Sequence, residues 1–161
     1  MPLERRDKEF AAIGASIGAN CRPCIEHHLA AGRAAGLTSG ELDEAVATAH
    51  TLRRQGVELL EARIDELLGH GGPPPAPPTI PSTSKAGELV ALGVSVGANA
   101  HDLLNAHVGG ALDVGLELHQ IKSALKMAGY VQQHAATITA EEVARVLAER
   151  VGAPTGAVRT E

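Results

Sequence analysis

The stretch from Glu9 to His28, EFAAIGASIGANCRPCIEHH, holds both cysteines of the chain and decides how the rest is read. Glycines four apart at Gly14 and Gly18 fit a helix face against which another backbone packs closely. Asn20 reads as the N-cap of a second helix, with Pro23 tolerated in its first turn. On that helix Cys21, Cys24 and His28 fall at spacings of three and four, so two thiols and an imidazole share one face.

Working outward, Leu3 to Ala19 reads as a first helix, with Phe10, Ala11, Ile13 and Ile17 as its apolar stripe. The second helix is expected to run to about Ala35, where Gly36 is a natural stop. Thr38 and Glu41 then form a capping box for a third helix carrying Leu42, Ala45, Val46 and Ala49, with His50 on or next to that face. Gly56 is expected to break or bend the chain before a fourth helix, whose Leu60, Ile64, Leu67 and Leu68 continue the pattern to Gly69. The proline-rich run after it reads as a linker over 71–84.

Beyond the linker the sequence restates itself. Moving by 79 positions takes Glu9 to Glu88 and aligns EFAAIGASIGAN with ELVALGVSVGAN without a gap. The register continues through His28 and His107, Gly36 and Gly115, and Leu68 and Leu147. Self-similarity of this length predicts two tandem copies of one helical unit in an all-α bundle, over 1–70 and 85–152, with a flexible tail at 153–161.

The two copies separate scaffold from chemistry. Glu9, the glycines, the asparagine and His28 recur, whereas Cys21 becomes Ala100 and Cys24 becomes Leu103. A unit that folds with Ala and Leu at these places has no packing need for cysteine. A helix N-terminus favours thiolate over thiol. His28, one turn after Cys24, is placed to take its proton, and Glu9 to orient the imidazole if the first helix packs across the second.

Composition narrows the alternatives. Aromatic residues are only 1% of the chain, so the core must be built from Ala, Leu, Val and Ile, and so thin a core favours subunit association. With 14 basic against 19 acidic residues and a net charge of −5, no basic face is available for nucleic acid or an anionic membrane. No apolar run approaches the roughly 20 residues of a membrane span, and the N-terminus lacks the apolar segment of a signal peptide. The expected setting is soluble and cytoplasmic, where a Cys-x-x-Cys pair is catalytic or metal-binding more often than structural.

Glu9, the Cys21-Arg22-Pro23-Cys24 run and His28, in this spacing, resemble the alkyl hydroperoxidase D group of the carboxymuconolactone decarboxylase-like superfamily, and the downstream AAGLTSGELDEA is similar to that group's next loop and helix. Pro23 stands where many members carry a histidine. The resemblance implies an all-helical trimer or hexamer, here a trimer of tandem chains, and a thiol site that reduces a hydroperoxide or a partner disulfide. It further implies that Cys24 attacks the peroxide, that Cys21 resolves the sulfenic acid, and that Glu9 and His28 relay the proton. No bound cofactor or metal is expected, only an external thiol or dithiol, with a reductant protein as a possible partner. Two rival readings are a scaffold whose cysteines are inert or hold zinc with His28 and either His27 or His50, and a decarboxylase or related lyase of the same superfamily. His101, His119 and His134 read as surface residues.

Overall fold

The structure, a computed structural model, describes residues 2–72 and 84–152. Most of the expected linker and all of the tail from 153 on lie outside the described residues. Among those described there are six helices and no strand. They are α1 (Arg5–Gly18), α2 (Arg22–Ala34), α3 (Ser39–Leu67), α4 (Lys85–Gly97), α5 (His101–Asp113) and α6 (Leu118–Gly152). The protein is an all-α bundle, and the second three helices start 79 or 80 positions after the first three.

Helices α1 and α4 form its centre. Every residue of α1 from Glu9 to Ile17 is buried, as is every residue of α4 from Glu88 to Ser95. Gly14 meets the backbone of Val90 and Val94, and Gly18 that of Val94 and Ala98, so the two helices run parallel. The contact is reciprocal, because Gly93 and Gly97 meet the backbone of Ala11 and Ala15. A Cβ added at Gly14 would lie 2.2 Å from the Val90 carbonyl oxygen, and one at Gly93 would lie 2.1 Å from that of Ala11. Backbone cannot rotate away as a side chain can, so only glycine permits this approach. Ser16 and Ser95 keep their hydroxyls satisfied within the seam by donating to Ala12 and Ala91, each at 2.7 Å.

The outer helices pack around this pair. One apolar cluster joins both halves, from Phe10, Ile13 and Leu52 to Leu89, Leu92 and Ile121. The expected end of α2 and start of α3 are present: Gly36 is left-handed at φ +90°, and the Thr38–Glu41 capping box is complete.

Two expectations are corrected. Asn20 is not the N-cap of α2. It is left-handed at φ +54°, closing α1 while the Cys21 N–H donates to Ser16 O at 3.0 Å, and Cys21 caps α2. Asn tolerates both roles, and the hydrogen bond back into α1 selects this one. Nor does Gly56 break the third helix, which continues to Leu67. Glycine costs only about 1 kcal/mol inside a helix, and here it lets α3 pass close to Ala100 and Leu103. Past that crossing α3 leaves the core. Leu60, Ile64, Leu67 and Leu68 are exposed, as are Val143, Val146 and Leu147 in the equivalent part of α6.

The seam makes a sharp contrast between glycines. Gly93→Ala should lose at least about 2 kcal/mol in urea unfolding through its backbone clash. Gly109→Ala, in open space on α5, should gain about 0.5–1 kcal/mol through helix propensity. Equal stability of the two variants would refute the close parallel crossing.

Candidate active site

The turn between α1 and α2 builds the site. Cys21 ends one helix and opens the next, its sulfur accepting the Cys24 N–H at 3.3 Å. Pro23 sits in the first turn, where a missing N–H leaves no helix bond unmade. The turn holds the two cysteine Cα atoms 5.3 Å apart, within disulfide range, and Cys21 and Cys24 are joined by a disulfide. Both are buried, in a small apolar cluster formed with Ala12 and Ala15 of α1 and Ala128, Val131 and Ala135 of α6. The second half of the chain therefore covers the cysteines of the first.

Glu9 and His28 also come together as the sequence suggested. His28 Nδ1 lies 2.9 Å from a Glu9 carboxylate oxygen, with both side chains largely buried. In the neutral ring a proton on Nδ1 donates to this carboxylate and leaves Nε2 as the free base. The second half repeats the pair, His107 Nδ1 standing 3.0 Å from Glu88, but both side chains are 0% exposed. There Leu103 occupies the place of Cys24 and is likewise fully buried. The remaining Glu88 oxygen and His107 Nε2 have no hydrogen-bond partner among the described residues. The first pair reaches the cleft through His28, and the pair at Glu88 is sealed.

Cys24 and His28 line one open cleft of about 310 Å3 with Pro23 and His27. Its opposite wall is α6, through Tyr130, Val131, His134 and Ile138. The Tyr130 and His134 rings stack within 5° of parallel, centroids 6.2 Å apart. Cys21 lines an adjoining groove, which shares Pro23 and Ile138 with the cleft and includes Asn20, Arg22, Thr139 and Glu142. His27 is exposed at the cleft, its ring edge-on to that of His28. His50 is exposed on α3 rather than against the apolar face, and does not line the cleft.

Tyr130 and His134 were not legible as site residues. Their signal lay in the 79-residue register, which pairs them with Thr51 and Gln55 and so marks them as particular to the half of α6 that faces the cysteines. Among the described residues no group of three or more His, Cys, Asp and Glu side chains is arranged to hold a metal ion. No described helix is long and apolar enough to cross a membrane.

A Cys-x-x-Cys pair at a helix start, with a histidine one turn further along the same helix held by a glutamate from the preceding helix, is the geometry that the resemblance implied. Residues 2–63 match the carboxymuconolactone decarboxylase family. That match spans α1, α2 and most of α3, and includes Glu9, Cys21, Cys24 and His28. Tyr130 and His134 lie beyond it. No curated protein and no solved structure matches the chain.

The two Glu–His pairs should respond differently to truncation. Glu88→Ala strands His107 in a fully buried site and should cost about 3 kcal/mol or more. Glu9→Ala, at the less deeply buried pair, should cost about 1 kcal/mol. Equal losses in denaturant unfolding would show that burial does not separate them.

Proposed function

We propose that this carboxymuconolactone decarboxylase-like chain is a thiol peroxidase or disulfide oxidoreductase that cycles between the Cys21–Cys24 disulfide and the dithiol. The observation that carries this reading is the disulfide itself, at a helix start and beside a Glu9–His28 pair whose imidazole reaches the cleft. In the reduced form the Cys24 thiolate attacks the terminal oxygen of a hydroperoxide. The O–O bond breaks, the alcohol leaves with a proton, and Cys24 becomes a sulfenic acid. The Cys21 thiolate then attacks that sulfur, the S–S bond forms, and water is released. An external thiol or dithiol supplies the two electrons that restore the pair, and no bound cofactor takes part.

His28 Nε2 takes the proton from the Cys24 thiol and returns it to the departing oxygen, while Glu9 holds the ring and stabilises its charged form. The division of the disulfide between two openings supports the same roles: Cys24 faces the cleft with His28, and Cys21 faces the groove where a reductant or partner disulfide would meet it. The exposed apolar residues at the ends of α3 and α6, equivalent under the 79-residue register, support assembly of several copies, with a trimer of tandem chains as the proposed form. A decarboxylase reading, which the family name also invites, gives the cysteine pair nothing to do.

Thiol counting tests this directly. The oxidised chain should titrate no thiol under denaturing conditions, and two after reduction. One equivalent of hydroperoxide should consume both, and a dithiol should restore them. Cys24→Ser should abolish the reaction with peroxide, whereas Cys21→Ser should stop at a trappable sulfenic acid. Glu9→Gln should slow thiol loss at least about tenfold and shift its pH profile. Two reduced thiols that ignore peroxide would remove the peroxidase reading.

A further inference from the structure

Two places in this molecule are equivalent, and they differ in a concerted way. At one, Cys24 and His28 face α6 across an open cleft. At the other, Leu103 and His107 are fully buried, and Leu103 also packs close to Gly56 of α3. The α6 wall carries Tyr130 and His134, where α3 carries Thr51 and Gln55. On α2, His27 stands where α5 has Ala106. The second site folds without these three rings, with His101 standing there where α2 has Arg22.

Tyr130 is the sole tyrosine of a chain with one phenylalanine and no tryptophan. Phe10 is buried in the core, whereas Tyr130 is 65% exposed, so its ring contributes little to the core. A fold that manages almost without phenylalanine, tyrosine and tryptophan places its single tyrosine ring, exposed, against a histidine in the cleft wall. Pro23, Val131 and Ile138 give the cleft apolar surface. Size points the same way. Hydrogen peroxide is only slightly larger than water, whose share of liquid volume is about 30 Å3, while the cleft measures about 310 Å3, in the range of sites for small organic molecules.

We infer that Tyr130 and His134, supplied by the second half of the chain, are substrate-positioning residues that fit the site to an organic hydroperoxide with a flat apolar or aromatic body. This rests on the peroxidase reading. Binding energy from the body of such a substrate holds its O–O bond toward Cys24, an advantage that hydrogen peroxide cannot use. The stacked rings offer a flat face of the kind aromatic groups pack against.

The test measures kcat/KM for cumene hydroperoxide and for hydrogen peroxide, in the full chain with a dithiol reductant. Tyr130→Thr and His134→Gln install the residues of the equivalent site, and Tyr130→Phe keeps the ring. The organic-to-hydrogen-peroxide ratio should fall about tenfold in the first two and be retained in Tyr130→Phe. An unchanged ratio, or an equal fall for both peroxides, overturns the inference. A second arm separates its failure from that of the peroxidase reading. In reduced protein with Cys21→Ser, alkylation of Cys24 by N-phenylmaleimide is compared with alkylation by iodoacetamide. If the unaltered chain reduces peroxide, the kinetic ratio decides. If it reduces none, the peroxidase reading fails and the alkylation ratio decides, a preference for the ring-bearing reagent that Tyr130→Thr abolishes supporting the wall and an unaltered preference removing it.

Discussion

The contact on which the structure depends is backbone against backbone. Gly14 and Gly18 of α1 face α4, and Gly93 and Gly97 of α4 face α1, with no side chain between them. So close an approach in parallel relates the two halves by an approximate two-fold axis along the seam. Each half then meets the other as it is met itself, and what one half builds beside α1 the other builds beside α4. An interior without tryptophan and with one phenylalanine is compatible with this, because small side chains gain contact through proximity rather than size.

That symmetry produces two Glu–His pairs from one plan, and small differences give them different fates. Where the first half has Cys24, the second has Leu103, and its Glu–His pair is fully withdrawn from water. The unpartnered oxygen of Glu88 and nitrogen of His107 are the energetic mark of a site closed by packing rather than redesigned as apolar core. At the first pair the carboxylate is also buried, but the imidazole of His28 borders open space. The chemistry available to a carboxylate and an imidazole is set there by access, not by identity.

Much of this was written in the sequence as local rules. The capping box at Thr38 and Glu41, the stop at Gly36 and the glycine spacing of α1 each involve residues within one turn of one another, and each formed as read. The meeting of Glu9 with His28 was legible because consecutive helices pack together. What failed depended on competition or on distance. Asn20 suits two adjacent roles, and a hydrogen bond from Cys21 to Ser16 chose between them. Gly56 has a low helix propensity that tertiary contact outweighed. His134 is exposed as read, but its place opposite Cys24 and His28 was hidden because those two residues are more than a hundred positions away in the chain. Only the register between the halves carried that information, and only as a difference.

The placement of α6 against the cysteines has a further consequence. Reactive groups and the surface that frames them belong to separate stretches of chain, joined only through folding. Substitutions along α6 can reshape what the cleft accepts while the turn bearing the disulfide, and the carboxylate and imidazole beside it, stay as they are. Under the proposed function, a segment equivalent to residues 2–63 describes the reagent but not its selectivity, and chains alike over that span are free to differ in what they admit.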